Sequence, residues 1–102
     1  MSFILVYVTH PDINTADRIS KVLLEEKLIA CSNTIPIKSV FWWESNIQNE
    51  NEIVTIFKTT SEKWLQIKIR IAELHPYEVP CVIKWKVQAN EEYERWIKES
   101  TI

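Results

Sequence analysis

Between Asn33 and Thr60 apolar positions recur every second residue in two segments, separated by the polar patch Glu44-Ser45-Asn46, with Gln48-Asn49-Glu50-Asn51 just beyond it. In the first segment Ile35, Ile37, Phe41 and Trp43 share one face, while Pro36, Lys38, Val40 and Trp42 share the other. The return segment sets Ile53, Thr55 and Phe57 against Val54, Ile56 and Lys58. Period-two patterning on both sides of a polar break predicts a β-hairpin. An arm of about ten or more residues at ~3.3 Å each spans roughly 35 Å, whereas a globule of about 100 residues has a radius of gyration near 13 Å. The hairpin should therefore outreach its own domain. Its tip is aromatic on both faces, Phe41 and Trp43 against Trp42, which a strand solvated on one side does not tolerate. The pattern predicts that a second copy of the chain covers it.

The remaining elements follow in order. Phe3 to Thr9 is β-branched and aromatic on both faces and reads as a central strand. His10-Pro11-Asp12 ends it, and Asn14 or Thr15 is the expected cap of a helix running to about Lys27, with Ala16, Ile19, Val22 and Leu23 as its apolar stripe. After the hairpin, Leu65 to Ile71 alternates like a strand, while Trp64, Ile67, Ile71 and Leu74 fit a helical stripe. A capping-box spacing at Thr59 and Glu62, with no turn signal from Ser61 to Leu74, favours a helix. His75-Pro76-Tyr77-Glu78-Val79-Pro80 breaks it with two prolines, and Cys81 to Val87 alternates as a fourth strand. Asn90 then opens a tail helix with Glu91 and Glu92 in its first turn and Tyr93, Trp96 and Ile97 as its stripe. This order predicts an α+β fold, the ferredoxin-like βαββαβ sandwich with a C-terminal helix, in a single domain over residues 1–102.

Composition narrows the functional classes. A hydrophobic content of 46%, with 11% aromatic, is enough for a real core in 102 residues. The net charge of -2, with Lys and Arg dispersed among Glu, leaves no electrostatic footprint for nucleic acid. No apolar run approaches the ~20 residues that span a bilayer, and Phe3 to Val8 lacks the flanks of a leader, so the expectation is a cytoplasmic protein without a membrane partner. Cys31 and Cys81 are too few for a disulfide scaffold and are expected reduced. There is no glycine, which excludes glycine-dependent phosphate loops and assigns left-handed positions to Asn33, Asn46, Asn49 and Asn90.

Candidate chemistry is sparse. Strands 1 and 4 are expected to be antiparallel neighbours, which brings His10 and His75 to one end of the sheet near Asp12 and Glu78. Two imidazoles there suit Cu(II) or Zn(II), so His75 and His10 are the candidate metal ligands. The opposing reading has each histidine, placed before a proline, hydrogen-bonding a loop. Trp43, Lys58, Tyr77 and Glu78 form a second group, a lysine and a carboxylate with aromatics, suited to a small anion or metabolite; an intersubunit ion pair is the alternative. No nucleophile and base stand in a forced arrangement, so no enzymatic reaction is expected.

Val8-Thr9-His10-Pro11-Asp12, Leu28-Ile29-Ala30-Cys31-Ser32-Asn33, Phe41-Trp42-Trp43-Glu44, Lys58-Thr59, His75-Pro76-Tyr77-Glu78-Val79-Pro80 and Tyr93-x-x-Trp96-Ile97 together resemble the CutA1 family of divalent-cation tolerance proteins, in order and over nearly the whole chain. Ser45 and Asn90 stand where that family usually has glycine. The resemblance implies the ferredoxin-like fold, the helix over Ser61 to Leu74, and a homotrimer built by strand pairing between subunits. It also implies copper or another divalent cation as ligand in a response to metal ions, with His75 the one copper-linked position matched by a ligand-type side chain. The competing expectation is a PII-like regulatory module that binds a small metabolite between subunits.

Overall fold

The computed structural model describes residues 3–102. Four antiparallel strands form one sheet in the order β2-β3-β1-β4, from β1 (Phe3–His10), β2 (Cys31–Trp43), β3 (Asn46–Thr60) and β4 (Val82–Val87). Helices α1 (Ile13–Glu25) and α2 (Trp64–Leu74) cross over on one face, and α3 (Glu91–Ser100) closes the chain. This is the expected βαββαβ sandwich with its tail helix, and β4 and β2 are its edges.

Alternation along β1 sorts the two faces. Ile4, Val6 and Val8 point under the helices and pack with Ile19 and Leu23 of α1, Ile67 and Ile71 of α2 and Phe57 of β3. Burial of these side chains, at roughly 25 cal/mol per Å² of apolar area, is the main term holding helices to sheet. On α2 the inward residues Ile67 and Ile71 follow the helical period, and the intervening Leu65 and Ile69 face outwards. Those two outward apolar residues are why the segment also alternates like a strand. The opposite sheet face is covered only near the Phe3 end, where Ile97 and Tyr93 of α3 pack on Phe3 and Leu5. Ile35, Ile83 and Trp85 remain exposed on it.

Local caps differ from expectation in several places. Asp12 caps α1, its carboxylate accepting from the Thr15 amide at 2.8 Å, because Asp12 rather than Asn14 or Thr15 holds the extended backbone that a cap requires. The helix stops at Glu25, and Lys27 at φ 62 completes a left-handed end in which the Leu28 amide donates to the Leu23 carbonyl. The Thr59 and Glu62 capping box does not form. Thr59 Oγ1 donates instead to the Leu28 carbonyl at 2.7 Å, and a single 3-10 turn, Ser61–Lys63, leads into α2. The left-handed positions are Lys27, Glu44 and Ser45, not the four asparagines. A two-residue turn between Trp43 and Asn46 needs φ > 0 at both central residues, and that geometric demand overrides side-chain preference.

The hairpin carries the dominant feature of the shape. β1 ends at His10, opposite Ile53, while β2 and β3 stay paired from Ile37 and Glu52 out to Trp43 and Asn46. Residues 37–43 and 46–52 therefore form a two-stranded ribbon projecting past the sheet, and the described chain measures 45 × 23 × 21 Å. On one ribbon face Trp42, Val40 and Ile47 are 71, 65 and 64% exposed.

Candidate functional site

Two constellations meet where β1 ends and the segment from His75 to Cys81 returns to β4. Pro76 forces His75 into extended backbone (φ -82, ψ 136), which ends α2 and turns the following residues across the end of the sheet. His75 stacks on His10 with ring centroids 5.2 Å apart, and the ring of Tyr77 lies 4.7 Å from His75 on the centroid measure. The two candidate metal ligands are thus neighbours.

Their nitrogens are differently employed. His75 Nε2 donates to the Thr9 carbonyl at 2.8 Å, and its Nδ1 accepts from the Tyr77 amide at 3.1 Å, which fixes the neutral tautomer protonated on Nε2. His10 is fully buried, pairs through Nε2 with Thr55 Oγ1 at 2.8 Å, and leaves Nδ1 buried without a partner. Burial, with the neighbouring His75 second, pushes the His10 pKa down to about 4; burial is also the main reason that of His75 is lowered. Both rings are neutral at pH 7, as metal ligands must be. As they stand they offer one free nitrogen between them, and among the described residues no group of three or more His, Cys, Asp or Glu converges as a metal site. Joint coordination requires His75 to give up its bond from Tyr77.

The second constellation is a cleft of about 840 Å³ between one face of the ribbon and the segment 76–81. Register places Phe41 across from Gln48, Ser39 from Glu50 and Ile37 from Glu52, so aromatic and acidic side chains share the cleft-facing side. Tyr77 lies at its floor, and its hydroxyl donates to Glu52 Oε2. Burial, with the Glu52 carboxylate next, holds the Tyr77 pKa well above the ordinary phenol range, so the proton stays on the tyrosine. Of the anticipated group, Trp43, Tyr77 and Glu78 line this cleft. Lys58 does not. It sits towards the other end of β3, opposite Leu5 and Cys31, where its Nζ donates to Tyr93 Oη at 3.2 Å. Within one chain Lys58 and the cleft are therefore apart: eight strand positions separate Glu50 from Lys58, a rise of about 26 Å.

Glu50, Glu52 and Thr55 are the residues that sequence reasoning did not single out. For the two glutamates the signal was the hairpin register itself. A two-residue turn at Glu44-Ser45 places positions 48, 50 and 52 on the face of Phe41 and Trp43.

With the geometry in place, comparison with known proteins is decisive. The sequence model of the family described as CutA1 divalent ion tolerance protein matches residues 4–100. The chain belongs to the CutA1 family. It is 43% identical over 99 residues to the Divalent-cation tolerance protein CutA of Pyrococcus horikoshii, covering 96% of this chain and 97% of that one. The same-named protein of Thermotoga maritima is 42% identical over 100 residues, covering 97% and 99%. Among solved structures, the periplasmic divalent cation tolerance protein CutA from Archaeoglobus fulgidus superposes with a TM-score of 0.96 at 39% identity, covering 98% of this chain and 99% of that one. CutA1 from Oryza sativa superposes with a TM-score of 0.96 at 36% identity, covering 100% and 95%. Three of these four proteins carry the cation-tolerance name, which favours that reading over the PII-like one, and none of the four names is that of an enzyme. No helix among the described residues is long and apolar enough to cross a membrane.

The buried neutral imidazoles make stability pH-dependent. An unfolded histidine protonates near 6.5, whereas folded His10 resists until about 4. Its contribution is therefore fully present above pH 6.5 and is lost as pH falls from 6.5 towards 4. A shift of this size is worth at most about 3 kcal/mol, less to the extent that solvent reaches the ring. Urea midpoints should fall steadily over that window, and His10→Gln, which keeps a partner for Thr55, should flatten the profile; equal slopes for both proteins would contradict the assignment.

Proposed function

We propose that this CutA1 chain works as a homotrimeric divalent-cation tolerance protein, one domain over residues 1–102, that binds copper or another divalent ion in the response to metal ions. It is a binding protein and not an enzyme. The carrying observation is the ribbon: Trp42, Val40 and Ile47 form an exposed apolar face on a two-stranded arm that the described chain leaves uncovered. An isolated two-stranded hairpin is marginal in water, and further copies of the chain supply the missing cover. The open sheet face with Ile35, Ile83 and Trp85 supports the same reading. Cytoplasmic location is supported by the two unpaired thiols, Cys31 and Cys81. The names of the relatives support the metal function, and the stacked His10 and His75 are the ligands we assign to it.

Sedimentation equilibrium at micromolar concentration should return three times the chain mass. Trp42→Asp places a carboxylate in the covered face and should weaken association at least about tenfold. A monomer mass for the unmodified chain would refute the trimer.

Copper calorimetry tests the metal half. Burial lowers the pKa of both rings, so the loss of uptake on acidification should begin at lower pH than free imidazole, near 6.5, would imply. His75→Ala should reduce affinity at least about tenfold, while Cys31→Ser, towards the Phe3 end of the sheet, should leave it unchanged. No heat of copper binding, or equal losses from both changes, would leave the histidines as structural groups.

A further inference from the structure

His10 and His75 are anchored alike, each through Nε2, but only His10 has a ring nitrogen with nothing to bond. Its Nδ1 is buried without a partner, and the residue is 0% exposed. Thr55, on the neighbouring strand β3, is also 0% exposed, and its Oγ1 lies 2.8 Å from His10 Nε2. Both residues are covered within a single chain, so their pairing does not depend on how further copies pack around it.

The two anchors are different kinds of oxygen. His75 Nε2 donates to the Thr9 carbonyl at 2.8 Å, and a carbonyl can only accept, so the His75 proton stays on Nε2. His10 Nε2 meets a hydroxyl, which can either donate or accept. Among the described residues Thr55 Oγ1 has no other side-chain partner. If the hydroxyl donates, His10 carries its proton on Nδ1, and that N–H alone is left unmatched. If Nε2–H donates instead, the Nδ1 lone pair and the hydroxyl hydrogen are both left unmatched. Each unmatched buried group costs free energy, so in the ion-free protein Thr55 donates and the His10 proton sits on Nδ1.

Ligation reverses that preference. Once the Nδ1 lone pair is given to an ion, the proton must reside on Nε2, and the nearby positive charge makes Nε2–H a stronger donor than a neutral ring N–H. Rotation of the Thr55 hydroxyl gives that donor its acceptor without any movement of the strand. A side chain of the same shape without oxygen could not. Joint coordination already requires His75 to leave the Tyr77 amide, and that movement opens the way to a ring on which His75 is stacked.

We propose that Thr55 is a positioning residue for the bound ion: its hydroxyl donates to His10 Nε2 in the ion-free protein and accepts from Nε2–H when Nδ1 ligates. One N–H bond breaks at Nδ1 as another forms at Nε2, and the ring stays neutral throughout. The role of Thr55 rests on the assignment of His10 and His75 as the metal ligands.

The test reads the position of the proton directly. Long-range proton–nitrogen NMR spectra of the labelled protein distinguish a protonated ring nitrogen from a bare one. In the ion-free protein His10 should show its proton on Nδ1 and His75 on Nε2; loaded with Zn(II), a diamagnetic ion, the protein should show the His10 proton on Nε2. In copper calorimetry Thr55→Val, which keeps the shape and removes the hydroxyl, should lower affinity at least about fivefold, because the charge-assisted bond lost from the loaded form outweighs the neutral bond lost from the free one. Thr55→Ser, which keeps the hydroxyl, should restore it. Should Thr55→Val not fold, the spectra of the unmodified protein decide alone. Copper affinity unmoved by Thr55→Val, a loss that Thr55→Ser does not restore, or a His10 proton on the same nitrogen in the free and Zn(II)-loaded forms would overturn the role of Thr55 and leave the metal reading standing. No copper uptake by the unmodified protein would overturn both.

Discussion

The structure depends on a mismatch in strand length. β1 stops at His10, opposite Ile53, but β2 and β3 keep hydrogen-bonding to each other for seven more residues a side. Past that point the ribbon has no third strand and no helix beneath it. A two-stranded ribbon gains its backbone hydrogen bonds but buries little, and hydrogen bonds alone contribute only about 1 kcal/mol each net. The apolar side chains on the ribbon therefore decide whether it persists. One face carries the most exposed apolar side chains, Trp42, Val40 and Ile47; the other mixes Phe41 and Trp43 with Gln48, Glu50 and Glu52 and turns towards the segment 76–81. The same overhang thus creates both an exposed apolar surface and a cleft against the segment 76–81.

The segment from His75 to Cys81 is organised by the end of β1. His75 reaches back to the Thr9 carbonyl, Tyr77 reaches across to Glu52, and both contacts are possible because β1 and β3 terminate their pairing there. His10 lies inside this arrangement, buried, neutral and half-satisfied through Thr55. Protonation of His10 is disfavoured first by burial and then by the neighbouring His75, with the Asp12 carboxylate only partly offsetting them. Stability at this end of the sheet and any chemistry there are therefore linked through the same two rings.

Much of the fold was legible in the residues because period and composition agreed. Ala16, Ile19 and Leu23 mark a helix and Ile4, Val6 and Val8 a buried strand face, and both are so placed. The hairpin and its overreach follow from strand rise alone. Local closures were harder to read. Lys27, Glu44 and Ser45 take left-handed backbone in a chain without glycine, because turn length imposes the angle and the residue present must accept it. Thr59 spends its hydroxyl on Leu28, a contact between distant segments that no local spacing announces. In the candidate site His10, His75, Trp43, Tyr77 and Glu78 were read by type and topology, while Glu50 and Glu52 needed the hairpin register, which also sets Lys58 apart from them within one chain.

The central claim, that the overhanging ribbon is covered by other copies of the chain, is open to a direct measurement by amide hydrogen exchange. Amides of residues 37–43 and 46–52 should be protected nearly as well as those of β1 at high protein concentration, and that protection should fall on dilution while β1 changes less. Fast exchange in the ribbon at every concentration, beside a protected β1, would mean that the arm stands bare in solution and would contradict the account.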